Sequence, residues 1–231
     1  MFPWFEYKGI DSRSMGLWIK ELPAPARAEE RVENIEVPGR AGHLTMKQGD
    51  YVHNSRLMEC IVQAPFTADF DAILAWLTGE GKVIFSNDES HVYEAEITAE
   101  VKFDKVSNSI KEATIPFFVQ PYKAQNPPES DITITGTSGS ITNPGNVESL
   151  PIVEIDYTGD IKVTLGGNPM EFVGIDTKIT VDCGAEIILD KDGDLWAGTF
   201  GGDFWRFQPG AITVAADNSC TLKITPRWRW L

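Results

Sequence analysis

The sequence predicts a mainly β protein, and three observations carry the prediction. Apolar and polar residues alternate with a period of two along several runs, Gly, Asn, Asp and Pro punctuate the spaces between them, and a single short stretch has helical spacing. The clearest run is His91 to Phe103, where Tyr93, Ala95, Ile97, Ala99, Val101 and Phe103 alternate with Glu94, Glu96, Thr98, Glu100 and Lys102, which gives a strand one apolar face. The alternation recurs in Val153, Ile155 and Tyr157, in Ile161, Val163 and Leu165, and in Ile179, Val181 and Cys183. Phe70, Ile73, Leu74 and Leu77 stand at i, i+3, i+4 and i+7. With Thr67 as N-cap, Asp69 and Asp71 in the first turn and Gly79 as the stop, they predict one amphipathic helix covering a sheet.

The chain has 231 residues, 42% hydrophobic and 10% aromatic, enough for two packed cores. The sharpest punctuation is Pro121-Tyr-Lys-Ala-Gln-Asn-Pro-Pro-Glu-Ser130, where paired prolines cannot donate ladder hydrogen bonds. The expected division is therefore a first β domain over 1–125 and a second over 126–231, the latter rich in turns such as Gly136-Thr-Ser-Gly-Ser140 and Asn143-Pro-Gly-Asn146.

The net charge is −14, shared as −6 and −8 between these halves, so neither is expected to wrap nucleic acid or anionic lipid. No stretch reaches the ~18 consecutive apolar residues of a membrane-spanning helix, and the opening Met1-Phe-Pro-Trp-Phe-Glu lacks the pattern of a secretion signal, so synthesis in a cytoplasm is expected. Cys60, Cys183 and Cys220 form no C-x-x-C pair and read as buried free thiols.

Catalytic chemistry finds little support. His43, His53 and His91 have no metalloprotease spacing and no G-x-S-x-G elbow accompanies them; His43 and His53 read as surface residues of a loop or hairpin, and His91 opens a strand. Carboxylates are too abundant to single out a glycosidase pair. Asp190-Lys-Asp-Gly-Asp194 resembles a calcium loop, but Leu195 and Gly201 stand where such a loop needs Gly and a bidentate Glu. Asp192-Gly193 instead predicts a type I′ hairpin turn between Glu186–Asp190 and Leu195-Trp196. Neither an enzyme nor a bound metal or cofactor is expected. The closing Pro226-Arg-Trp-Arg-Trp-Leu231 reads as a strand whose Trp228 and Trp230 close a core while Arg227 and Arg229 point outward.

The ordered set of motifs resembles the distal tail proteins of long-tailed bacteriophages and related tail-like particles, over nearly the whole chain. Phe5-Glu-Tyr-Lys-Gly-Ile10 and Gly16-Leu17-Trp18-Ile19 look like that family's opening strands, and Val37-Pro-Gly-Arg-Ala-Gly42 like its Pro-Gly-Arg-x-Gly signature, with Ala41 where relatives often have a polar residue. Trp76-Leu-Thr-Gly-Glu-Gly-Lys-Val-Ile-Phe85 is similar to its helix-to-strand segment, and Phe118-Val-Gln-Pro-Tyr122 to the strand that ends its first domain. In the second half Asn143-Pro-Gly-Asn146 with Pro151, Ile179-Thr-Val-Asp-Cys183, Gly202-Asp-Phe204 leading to Gln208-Pro-Gly210, and Pro226-Arg-Trp-Arg-Trp230 are also similar. The pattern departs at Trp205-Arg206-Phe207, where relatives more often carry Pro and Leu.

This resemblance implies an N-terminal β-barrel-like domain with one helix and a long hairpin, followed by a C-terminal galectin-like β-sandwich. It further implies a structural virion protein of the tail tip, a homo-hexamer ring hub with a channel for DNA. Such a hub joins the tail tube and tape-measure end to the tail-tip hub protein and to receptor-binding or baseplate proteins, and is made in the bacterial host cytoplasm. A cyclic hexamer needs a heterologous interface. Pro38 to Asp50 is the candidate ring-contact hairpin, with Pro38, Gly39, Arg40, Gly42 and His43 as its named residues. The alternative is a solitary lectin-like carbohydrate-binding module in which Trp205 or the terminal tryptophans stack on sugar rings.

Overall fold

The computed structural model describes residues 2–36, 38–47, 49 and 52–231 and divides into two compact units, Met1–Asn126 with Leu231, and Pro127–Trp230. The first contains β1 (Phe5–Tyr7), β2 (Ile10–Asp11), β3 (Trp18–Glu21), β4 (Val32–Glu36), β5 (His43–Lys47), β6 (Arg56–Pro65), α1 (Phe70–Trp76), β7 (Gly79–Phe85), β8 (His91–Ile97), β9 (Asp104–Lys105) and β10 (Ile110–Gln125). Its main sheet runs in the order β2-β1-β7-β8-β10-β6-β3, all antiparallel. Alternate residues of each strand face one core. Phe5, Tyr7, Cys60, Val62, Val83, Phe85, Ile115 and Phe117 are almost completely buried there. Phe117 lies edge-on to Phe5, Tyr7 and Phe85 at 5.4 to 5.5 Å, a favourable aromatic arrangement.

The helix forms where expected but is oriented differently. Asp69, not Thr67, caps it, because the Asp69 carboxylate accepts the Ala72 N–H at 3.0 Å. The buried face is Ile73, Trp76 and Leu77, whereas Leu74 is 39% exposed. Trp76 decides this, since its ring stacks 5.7 Å from Phe5 and its indole N–H donates to the Tyr7 carbonyl. The strand expected to reach Phe103 stops at Ile97, which pairs with Gly79, the first residue of β7. Beyond Gly79 β7 offers no further ladder, while the other neighbour, β10, goes on to pair with β9 through Glu112 and Lys111, and Val101 and Phe103 meet the core from the irregular chain between β8 and β9.

The second unit contains β11 (Ile132–Asn143), β12 (Ile152–Asp156), β13 (Gly159–Leu165), β14 (Asn168–Ile175), β15 (Lys178–Asp182), β16 (Ile187–Leu189), β17 (Thr199–Gly202) and β18 (Gly210–Thr225). The strand order is β16-β15-β12-β18-β13-β14-β17, with β11 also on β18. The long β18 joins two layers: residues 214–216 pair with β13 and residues 221–225 with β12. The β11–β18 register slips between Gly136 and Ser138, where Gly136 takes φ +122, so the ladder bends there and both halves turn their apolar faces inward. Val153, Ile155, Ile161, Val163, Leu165, Ile179 and Val181, the residues with the period-two signal, are all in the core.

Two expected features of this unit take another form. Only Gly193 has positive φ in the Asp190–Asp194 turn, so it is not type I′; the Asp190 carboxylate accepts the N–H groups of Asp192 and Asp194 and holds the turn. The chain end is not a five-residue strand, because Arg227 has φ +53 and forms a two-contact ion pair with Asp182. Trp228 is buried as expected, but Arg229, rather than pointing outward, donates twice to the Glu148 carbonyl at 2.8 and 3.0 Å.

The Asn143-Pro-Gly-Asn146 turn is a polar knot within this core. Asn143, 2% exposed, donates to the carbonyls of Val147 and Phe207 and accepts from the Gly145 N–H. A Cβ on Gly145 would strike the Arg229 carbonyl. Replacing Asn143 by Ala leaves buried backbone groups without partners and is expected to destabilise the protein by about 2–3 kcal/mol, read as a lowered denaturant midpoint at constant m-value.

The three thiols are buried as expected, and burial pushes Cys60 and Cys183 up to about 12, which leaves them unreactive.

Candidate functional site

The candidate ring-contact residues fall on a two-stranded hairpin that takes no part in the main sheet of the first unit. Val32, Glu33, Asn34, Ile35 and Glu36 pair with Lys47, Met46, Thr45, Leu44 and His43. Pro38, Gly39, Arg40 and Gly42 make the connection, and both glycines have positive φ, +82 and +81, which a side chain would strain. His43 opens the return strand and is exposed. Val37, Gln48 and Asp50 of the expected segment lie outside the described residues. The outgoing strand β4 was not anticipated, because Val32-Glu-Asn-Ile-Glu36 has no clean alternation of its own.

Pairing determines the faces of this hairpin. Directly paired residues share a side, so Glu33, Ile35, Leu44 and Met46 lie together on one face and Val32, Asn34, Glu36, His43, Thr45 and Lys47 on the other. Every strand residue of the hairpin is exposed, and Ile35, Leu44 and Met46 are 36%, 41% and 50% exposed. The result is a small apolar stripe held out from the core.

The base of the hairpin is tied to the sheet by polar contacts. Glu30 bridges Lys47 at 2.9 Å and Arg27 at 3.3 Å; the hydrogen bond from Lys47, aided by both positive charges, holds the Glu30 carboxyl below its usual range. The Arg31 N–H donates to the Val52 carbonyl, and Asn54 N–H to that of Glu29. His53, expected at the surface, is buried: its Nδ1 lies 3.0 Å from the Tyr122 hydroxyl of β10, ring on edge, so it packs as an anchor of the hairpin base. Sequence reasoning missed it because the two residues are separated by 69 positions.

A second apolar surface lies on the outer face of the same unit. Leu57 and Phe118 are direct partners on β6 and β10 and are 55% and 45% exposed. On the same side of that sheet Trp18 pairs with Gln63 and is 54% exposed. Leu57 and Phe118 lie side by side, and Trp18 stands on the same face beside Gln63, six residues further along β6.

Asp88 is a carboxylate shared by three side chains of the first unit. It accepts from Tyr93 Oη at 2.6 Å, His91 Nδ1 at 2.6 Å and Lys123 Nζ at 2.7 Å. Burial raises its affinity for a proton, but the three hydrogen bonds outweigh burial and bring its carboxyl down to about 2. The folded protein therefore binds this proton more weakly than the unfolded chain does. The contribution, about 2 kcal/mol, is complete above the ordinary carboxyl value near pH 4 and is lost as pH falls toward 2. Wild type is expected to lose that much more stability than Asp88→Asn between pH 4 and pH 2, measured by urea unfolding.

Among the described residues no group of three or more His, Cys, Asp or Glu side chains is placed to hold a metal ion, and no helix is long and apolar enough to cross a membrane. Trp205, weighed as a sugar platform, is completely buried and donates its indole N–H to the Asn168 carbonyl; Trp228 is 3% exposed. Burial on both sides of the ring removes them as stacking surfaces. Arg206, between Trp205 and the equally buried Phe207, turns outward to pair with Glu148 at 3.1 Å.

No family model and no curated protein matches the chain. Among solved structures, it is similar to the crystal structure of the Dit protein of SPP1, described as a paradigm of the hub of the adsorption apparatus in phages that infect Gram-positive bacteria. The likeness covers 100% of both chains with a TM-score of 0.76 and 16% sequence identity. The shared feature at that identity is the fold: a barrel-like first unit with one helix, followed by a galectin-like sandwich, as the sequence motifs implied.

Proposed function

We propose, from this end-to-end likeness in fold to a tail hub protein, that the chain is a structural subunit of a phage-type tail tip. Six copies form a ring hub that joins the tail tube to the tail-tip, baseplate and receptor-binding proteins and leaves a channel for DNA. The observation that carries the reading is the alignment of both units in one chain order over the full length of each protein. A single shared sandwich would support much less, since fold alone is compatible with many functions.

Two properties of the first unit support ring formation. A cyclic assembly needs two different surfaces that meet, and the unit has two: the hairpin stripe of Ile35, Leu44 and Met46, and the outer face with Leu57, Phe118 and Trp18. Joining them removes exposed apolar surface at roughly 25 cal/mol per Å2 and closes the ring when the rotation is right. The net charge of −14 suits a hub through which DNA passes without sticking.

The test is the absolute mass of the purified full chain by light scattering over a wide concentration range. A hexamer of the 25.6 kDa chain is the expected result. A monomer at every concentration, with no ring by electron microscopy after mixing with a phage tail tube protein, overturns the reading.

A further inference from the structure

The second unit contains one more built concavity, and its lining is unlike the surfaces used above. A cleft of about 420 Å3 lies between the 173–178 turn and the loop that carries Trp196. That volume falls within the range of small-molecule sites, roughly 300–1,000 Å3. Its floor includes the Trp196 indole, which is only partly buried.

Trp196 differs from Trp76 and Trp205 in one respect. Trp76 and Trp205 each give their indole N–H to a backbone carbonyl, at 2.9 Å in both cases. Trp196 has no such partner among the described residues, although its ring is well fixed. Its backbone N–H bonds the Ile188 carbonyl, its ring sits 6.1 Å from Phe172, and Gly198 folds so closely over it that any Cβ there would collide with the ring. The indole is thus held in place at the edge of the core and lines the cleft with its donor unused.

The charges around it decide the ligand class. Asp176, Asp190, Lys178 and Lys191 line the cleft, and both lysines are already committed to other carboxylates, Lys178 to Glu154 at 3.1 Å and Lys191 to Asp192 at 2.8 Å. The hydrogen bond to Asp192 first, and then the charges of Asp192, Asp176 and Asp190, raise the Lys191 pKa. One Asp190 oxygen is committed to the turn, and the Asp176 carboxylate has no hydrogen-bond partner among the described residues. With both ammonium groups already paired, the lining offers carboxylate acceptors to hydroxyl groups beside an aromatic surface for an apolar C–H face.

We propose that this cleft binds a neutral polyhydroxylated ligand, a saccharide, with Trp196 under the sugar ring and Asp176 accepting from its hydroxyls. The site belongs to the second unit alone and does not depend on ring formation. It also differs from a sugar site at Trp205 or the terminal tryptophans.

The experiment is saturation-transfer NMR on the full chain with oligosaccharides of glucose, galactose, N-acetylglucosamine and rhamnose, and with choline and inorganic phosphate as charged comparators. At least one oligosaccharide is expected to receive saturation. Trp196→Ala is expected to weaken its binding about tenfold or more, and Phe2→Ala, at an exposed aromatic residue of the other unit, to leave it unchanged. Because Trp196 also packs on Phe172, Asp176→Ala serves as the variant that leaves the core untouched; a severalfold loss at an unchanged melting temperature is expected there. Saturation of no oligosaccharide, preference for choline or phosphate, or binding that survives both cleft variants overturns the proposal.

Discussion

A chain carrying Ile35→Glu and Leu44→Glu is expected to scatter light as a monomer at concentrations where the wild type is a ring, while melting at the wild-type temperature. Ile35 and Leu44 are direct partners on one face of the hairpin and are 36% and 41% exposed, so neither is part of a core. Surface substitutions of this kind usually change stability by no more than about 0.5 kcal/mol. In an assembled ring the same positions would be desolvated, and two unpaired carboxylates buried at each contact cost several kcal/mol, at least a 100-fold loss in association. A variant that unfolds at a lower temperature would mean that the hairpin supports the unit itself. A variant that still forms rings would remove the hairpin from the interface and leave the Leu57 and Phe118 face to be tested in the same way.

Trp205→Ala is expected to have the largest effect on stability, about 3–5 kcal/mol, seen as a drop in the urea midpoint of the second unit. Trp205 is completely buried, lies 6.1 Å from Phe172, and uses its indole N–H on the Asn168 carbonyl. Its removal opens a cavity and leaves that carbonyl without its donor at the same time. Phe is the informative second variant, because it keeps most of the ring volume and loses only the donor, for an expected cost of about 1–2 kcal/mol. Equal costs for Ala and Phe would show that the hydrogen bond, not the packing, holds the loop between Gly202 and Gln208.

The two predictions separate kinds of residue that look alike in sequence. Leu44 and Trp205 are both large and apolar, and both sit in segments rich in glycine and turn residues. One is held out in water and the other is sealed in a core. Stability measurements alone would find the second and miss the first; mass measurements would do the reverse.

Much of the fold was legible along the chain. A period of two fixes which side chains share a face, so Val153, Ile155, Ile161, Val163, Ile179 and Val181 could be assigned to a core without knowing what they touch. The i, i+3, i+4 spacing located the helix, and three isolated cysteines read as inert thiols, as they are. Positive φ at Gly39 and Gly42 agrees with a turn in the segment singled out for the ring contact.

What local pattern leaves open is which partner lies beside each element. Strand β8 ends at Ile97, opposite Gly79 where its partner β7 begins, although the alternation continues to Phe103. The helix buries Trp76 rather than Leu74 because Phe5 and the Tyr7 carbonyl lie opposite it. His53 becomes buried through Tyr122, and Arg229 is drawn inward by the Glu148 carbonyl, both over long separations in sequence. Ile35, Leu44 and Met46 form a stripe only once the register of the hairpin puts them on one side. The sequence by itself determined the periodicities, and with them the β class, the place of the helix and the core faces of the alternating strands. The tertiary structure decided where strands stop, which polar groups meet and which apolar faces remain uncovered, because each of these depends on a neighbour distant in the chain.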